Sequence, residues 1–238
     1  MLDLYLAATE DLLQELRKAR NTRMSGPRPD IDPHPLSSYV AWAGNRNKDP
    51  ILKTFEEFFP TQGDVLELAT GAGLHINYFA PHFPNVRFQP SDYDRDVFAS
   101  IKRCRAGAGN KNVADPIFID LTVPATWPGA DERLYDVIFV INIFQVAPVS
   151  IADGVATLGA KLLKPSGLVA IYGPFKLDGK YTTPSNLAFD REIRAAGVPG
   201  WSLKEVRDLQ RASEKYGLTL DQTLDLPANN FVLLFSRS

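Results

Sequence analysis

Three acids and two glycines carry the clearest chemistry in this sequence. In the stretch DVLELATGAGLHINYF, residues 64–79, an apolar run reaches Glu67, then Gly71 and Gly73 follow before the pattern turns helical. Glycine permits a tight turn and lets backbone approach a ligand closely. The helix behind the turn offers unpaired N–H groups to an anionic ligand group. The dinucleotide fingerprint would be G-x-G-x-x-G, and Ile76 stands at its third position. The turn alone therefore also fits a strand-to-helix corner that binds nothing. Asp92 follows Gly73 by about 20 residues, the spacing at which an acid accepts ribose hydroxyls. Asp120 ends a third apolar run and is followed by Leu121. An acid there can accept from an adenine amino group while the leucine packs on the ring. Any one of these acids could be a cap or turn residue. Together they form a set at one edge of a sheet.

Other side chains add candidates. His75 lies in the first turn of the helix behind the glycines, where the positive helix end lowers a histidine's pKa and keeps it able to accept a proton. A packing histidine is the alternative. Arg46 and Lys48 could pair with a ligand carboxylate, or be solvated residues at a helix start. Asn142 ends an apolar run and could hold a cofactor amino group or a second substrate. His34 and His82 sit in polar or proline-flanked surroundings typical of surface residues. With three scattered histidines, one cysteine and no ligand-spaced cluster, no metal is expected.

The elements that must position these residues alternate. Residues 48–59 (KDPILKTFEEFF) read as an amphipathic helix. Strands are expected at 64–68, 86–90, 116–120, 136–141 and 168–173, with helices near 73–80, 94–105 and 150–163. Strands alternating with helices imply a parallel sheet covered on both faces, and the strands are apolar throughout, as double-sided burial requires. Residues 202–217 read as a helix with a serine cap and a glycine stop. Two final strands, LTLDQTLDLP and NFVLLFS, are joined by a connection too short for a parallel crossover and must be antiparallel. Gly173, Gly179, Gly197 and Gly200 offer hinges for a lid over 173–200. At the other end, residues 3–20 read as a helix with an apolar stripe. A proline-rich linker follows it. The expected division is an N-terminal helix and linker over 1–38 and one domain over 39–238.

Composition narrows the function classes. The chain has 238 residues, 45% of them hydrophobic, and a net charge of −2. No basic tract interleaves with aromatics, so nucleic acid is not an expected partner. No apolar stretch reaches the ~20 residues that cross a bilayer. One cysteine and an acidic start point to a reducing, cytoplasmic location.

A parallel sheet closed by an antiparallel hairpin resembles the class I methyltransferase fold: α/β, Rossmann-like and seven-stranded. More narrowly, RNKDPIL, VLELATGAGLH, FQPSD, YGPF, TPSNLAFD and LPANN, in order, resemble the methyltransferase-like protein 26 family of small S-adenosylmethionine-dependent methyltransferases. The resemblance implies S-adenosylmethionine as cofactor, leaving as S-adenosylhomocysteine. Glu67, Gly71 and Gly73 would hold its methionine end, Asp92 its ribose, Asp120 and Leu121 its adenine, with Arg46 and Asn142 assisting. Catalytic candidates are His75, Gln145 and Tyr172. Substrate-binding candidates are Phe144, Phe175, Asn186, Asn229 and Asn230. Two departures matter. Leu74 replaces a polar residue of the family pattern, and Gln145 stands where a histidine is usual. Glutamine cannot act as a base.

The expected activity is O- or N-methylation of a small molecule, in keeping with the aromatic residues around the later loops and with a role in specialised biosynthesis. The alternative is a methyltransferase fold repurposed as a pericyclase-like cyclase or isomerase. A small-molecule acceptor is the expected partner, and the stripe on the first helix allows a homodimer.

Overall fold

The computed structural model describes residues 27–237. The expected helix at residues 3–20 lies outside them.

The chain forms helix α1 (Ser38–Phe55), β1 (Gly63–Leu68), α2 (Leu74–Phe79), β2 (Val86–Asp92), α3 (Phe98–Ala108), β3 (Ile117–Phe118) and β4 (Tyr135–Ile141). It continues with α4 (Ile151–Leu162), β5 (Leu163–Gly173), β6 (Phe175–Leu177), β7 (Lys180–Tyr181) and α5 (Pro184–Ala195). It ends with β8 (Lys204–Glu205), α6 (Val206–Glu214), β9 (Leu218–Leu226) and β10 (Asn230–Arg237). Seven strands make one sheet in the order β3-β2-β1-β4-β5-β10-β9. The first five run parallel. β10 pairs antiparallel with both β5 and β9. Ala228 and Asn229 both adopt positive φ at the hairpin tip, the geometry that lets two antiparallel strands twist together through a short turn.

Side chains alternate across the strands. Leu66, Leu68, Ile138, Val140, Val169 and Ile171 pack with α4 and α6 on one face of the sheet. Val65, Val137, Phe139, Ala170 and Val232 pack with Phe55, Ile76 and Phe79 on the other. Strands covered on both faces need apolar side chains at every position, which is why these runs lack a polar alternation. The chain leaves β1 toward β2 on one side and β4 on the other. That reversal opens a crevice at the carboxyl ends of the strands, where open α/β sheets bind ligands.

Several expected boundaries shift. α1 starts ten residues earlier than residues 48–59 suggest: Ser37 accepts the Val40 N–H and caps it. Pro50 therefore sits inside the helix. Its ring has no N–H to donate to the Arg46 carbonyl, yet packing of Ile51, Leu52 and Phe55 into the core carries the helix through. β3 is only two residues, so Asp120 stands just past the strand. The helix expected from residue 202 begins at Val206, with Glu205 at its N-cap and no side-chain cap; Ser202 instead accepts from Lys204. Residues 173–200 are not one loop: they hold β6, β7 and α5, and β6, β7 and β8 form a second, three-stranded sheet.

Candidate functional site

The two glycines of the turn are required for different reasons. Gly71 has φ +58, and a Cβ there would make only an ordinary contact with the Pro35 Cβ at 3.5 Å, so its left-handed backbone alone favours glycine. Gly73 has φ +88, and a Cβ there would lie 2.8 Å from the Ile101 Cα, backbone that cannot yield. Gly73 N-caps α2. Its amide bonds the Thr70 carbonyl, closing the turn.

The acids flank this turn. Glu67 is 2% exposed, and its Oε2 is buried with no hydrogen-bond partner. Burial pushes its carboxyl well above the usual range; the Thr70 hydroxyl and the Ile76 N–H oppose this, while the Asp92 charge adds to it. The free N–H groups of α2 thus face the protein's own carboxyl, not only the cavity. Asp92 accepts the Gly71 N–H at 2.9 Å through Oδ2 and the Asp94 N–H at 2.9 Å through Oδ1. It fixes the glycine turn as well as lining the crevice. Burial raises its pKa despite these bonds. Asp120 holds Thr122 through Oδ1 alone, accepting its N–H at 2.8 Å and its hydroxyl at 2.7 Å. Leu121 beside it is buried.

A cavity of about 1340 Å³ opens over these residues, and Glu67, Gly71, Asp92, Asp120, Leu121 and Arg46 line it. The same cavity runs on past β4 and β5 to Asn142, Gln145, Tyr172, Asn186, Asn229 and Asn230. Asn142 and Ala69 take positive φ at the ends of β4 and β1. Such strained positions outside glycine cluster where a ligand is clamped.

Above the sheet, one side chain links two candidates. His75 Nε2 lies 2.8 Å from Asn47 Oδ1, and the Asn47 amide donates to the Tyr172 hydroxyl. Because the oxygen of Asn47 can only accept, Nε2 of the neutral ring is the donor. Burial, with the Lys48 charge behind it, lowers His75 to about 3. Burial also pushes Tyr172 up to about 12. Neither group changes charge near neutral pH. Asn47 is the residue that sequence reasoning missed. Its only signal was its place inside the RNKDPIL motif.

Three side chains do not go where the sequence suggested. Phe144 and Phe175 are 1% and 0% exposed and pack in the core with tilted rings, centroids 6.1 Å apart. They do not line the cavity. An aromatic next to a polar loop reads as a pocket wall, yet burial under α6 and β10 uses both as core. Lys48 turns away from the cavity to Asn45 Oδ1 and over the Tyr78 ring, because residue 48 falls on the far side of α1. Arg46 does line the cavity, resting 4.7 Å over the Trp42 ring. Among the described residues, no group of three or more potential ligands gathers to hold a metal ion.

The family described as protein of unknown function DUF938 matches residues 38–237. This chain belongs to the DUF938 family. The DUF938 chain is also similar in structure to solved methyltransferases. One is CalO1, a methyltransferase in calicheamicin biosynthesis, with S-adenosylhomocysteine bound: TM-score 0.70, 15% identity, covering 84% of this chain and 56% of that one. Another is the mitomycin 7-O-methyltransferase MmcR, with TM-score 0.70, 14% identity and coverage of 84% and 56%. A third is an O-methyltransferase family protein from Burkholderia thailandensis, with TM-score 0.70, 14% identity and coverage of 96% and 70%. The DUF938 chain spans little more than half the length of the first two. It has the class I methyltransferase fold. No helix among its described residues is long and apolar enough to cross a membrane.

Proposed function

We propose that this chain is an S-adenosylmethionine-dependent methyltransferase acting on an oxygen or nitrogen atom of a small molecule, as its likeness to the methyltransferase-like protein 26 family implies. The observation that carries this reading is the orphaned Glu67 Oε2 at a glycine turn, with Asp92 and Asp120 on the same cavity wall. Buried polar atoms without partners are rare in folded proteins and call for a ligand or water. The residues present fit the cofactor. Glu67 and the glycine turn would hold its methionine end, and Asp92 keeps lone pairs for ribose hydroxyls. Asp120 and Leu121 would take the adenine. Arg46, paired with none of the described carboxylates, would meet the cofactor carboxylate, and Asn142 its amino group.

When bound, S-adenosylmethionine supplies an electrophilic methyl group. The chain's own task is to orient the acceptor, which is worth roughly 7–11 kcal/mol when the geometry is productive. Tyr172 remains protonated and donates, and Asn47 fixes its direction. His75, held neutral, orients Asn47 and is too weakly basic to store a proton. In this reading His75 is not the base that takes the acceptor's proton. A homodimer through residues 3–20 and a role in biosynthesis in the cytoplasm belong to the same proposal.

The test is calorimetric titration of the full chain with S-adenosylmethionine, with Asp120→Ala as control. Micromolar binding that Asp120→Ala weakens at least tenfold, a loss of about 1.4 kcal/mol, supports the reading. Absence of binding by folded protein overturns it. Turnover of an acceptor without methyl gain would favour the cyclase alternative.

A further inference from the structure

We infer that the cavity beyond β4 and β5 takes an uncharged, planar acceptor whose hydroxyl or ring N–H donates to Gln145 Oε1. This rests on the proposed methyl transfer and names the acceptor class for the same site.

The cavity is large enough for two molecules. Its volume of about 1340 Å³ exceeds the roughly 300–1,000 Å³ of a pocket holding one small ligand. Its charges are also unevenly placed. Glu67, Asp92 and Asp120 stand at the ends of β1, β2 and β3. The opposite wall beyond β4 and β5 is built from Gln145, Tyr172, Asn186, Phe189, Trp201 and Asn229, none of them charged, and Arg28, which lines the cavity against α5, is already paired with Glu192 at 2.7 Å. An ionised acceptor entering there would lose its water without meeting an unpaired counter-charge, which is costly. A flat neutral ring can pack against Phe189 and Trp201.

Among the amides on this wall, Gln145 stands apart. Asn186 Nδ2 is taken by Thr182 Oγ1 at 2.9 Å and the Asn229 carbonyl at 3.1 Å. Asn229 Nδ2 is taken by Ser185 Oγ at 3.0 Å. Asn230 Nδ2 is taken by the carbonyls of Pro227 and Ala228, both at 3.2 Å. Asn186 and Asn229 fasten the hairpin turn to α5, and Asn230 braces the turn itself. Gln145 is 9% exposed, and its Oε1 is buried without a partner. Its backbone is held, since its carbonyl accepts the Ser202 N–H at 3.1 Å. A fixed residue with an unmet acceptor atom needs a donor, and the ligand space it lines is the source at hand. Trp42 Nε1 is a second unpartnered polar atom on the same cavity, a donor that an acceptor's oxygen could meet.

The probes are four molecules sharing one ring system: 2-naphthol, 2-naphthoate, 2-naphthylmethylammonium and naphthalene. Each is titrated calorimetrically into the full chain saturated with S-adenosylhomocysteine, for wild type and Gln145→Leu. The expected result is saturable binding of 2-naphthol, at least about tenfold tighter than either charged probe. Gln145→Leu should weaken 2-naphthol by roughly five- to tenfold, the size of one neutral hydrogen bond, and leave naphthalene unchanged. Equal binding of a charged probe, an unaffected Gln145→Leu variant, or no binding of 2-naphthol overturns the inference. Gln145→Met replaces the leucine variant if thermal melting shows that variant unfolded. Binding of S-adenosylhomocysteine is measured first. If it fails, the methyltransferase reading fails, and the four probes are compared on the chain alone by the same criteria.

Discussion

At the ends of β1, β2 and β3 the cavity wall carries Glu67, Asp92 and Asp120 around a turn whose glycines hold positive φ. Across from it, beyond β4 and β5, the wall carries Gln145, Tyr172, Asn186 and Trp201, with the Arg28 guanidinium against α5 already paired to Glu192. The first wall is local: Gly71, Gly73 and the helix they start are one continuous stretch, and Asp92 bonds straight back into it. The second is assembled from a strand end, a helix and a hairpin tip far apart in sequence, tied by Asn186 to Asn229. A charged, strained wall suits a ligand whose polar groups are always the same. A neutral wall of amides and rings suits discrimination by shape and one unmet hydrogen bond.

Five substitutions would break or sharpen this contrast. The largest effect is expected from Phe175→Ala, which empties core behind the second wall. It should lower stability by about 3–5 kcal/mol in denaturant unfolding. A change confined to acceptor affinity would instead return Phe175 to the cavity. Next is Asp190→Ala. Asp190 is 1% exposed and accepts from Tyr181 Oη, Arg194 Nε and the Leu203 N–H, each at 2.6 Å. Stranding the buried Leu203 amide should cost roughly 2–3 kcal/mol. Because these bonds hold its pKa below the ordinary value, the stability they contribute is present above that value and is lost as pH falls through the folded pKa. On the first wall, Gly71→Ala should cost about 1–2 kcal/mol for its left-handed backbone. Gly73→Ala should cost more, since its Cβ also meets the Ile101 backbone. Equal melting temperatures for the two would refute that distinction. The smallest effect belongs to Arg28→Ala. Arg28 pairs with Glu192 at 2.7 Å and ties the segment bearing His34 and Pro35 to α5, but both side chains are about 40% exposed. Its loss should cost less than about 1 kcal/mol.

Two buried groups on either side of the glycine turn differ in their response to pH. His75 has a folded pKa of about 3 against an ordinary 6.5. The unfolded chain therefore takes up its proton first. The stability linked to His75 is complete above pH 6.5 and declines as pH falls toward 3. Glu67, raised by burial, acts in the opposite sense: its contribution is present at low pH and is lost as pH rises through its folded value. Melting temperature against pH should therefore be flatter between pH 6.5 and 4 for His75→Gln than for wild type.

How legible each part was follows from how local its cause is. Uninterrupted apolar strands, a glycine pair after the first of them and a short final connection were enough for the sheet, its parallel core and its antiparallel end. The acids of the first wall were legible because each stands at or just past the carboxyl end of its own strand. Phe144 and Phe175 were misread as pocket residues, since a side chain's neighbours across the sheet leave no mark in its own stretch. α5 and the small sheet of β6, β7 and β8 were not anticipated: strands of two or three residues carry no periodicity, and turn residues around them read as loop.

By itself, then, the sequence determined the fold and one wall of the cavity, because strand burial, glycine backbone and strand-end acids are properties of short segments. The tertiary structure alone decided that Asn47 joins His75 to Tyr172, that both phenylalanines belong to the core and that Gln145 is left with an unmet acceptor. Each of these depends on which residues from distant segments meet, and on whether a buried polar atom finds its partner within the protein.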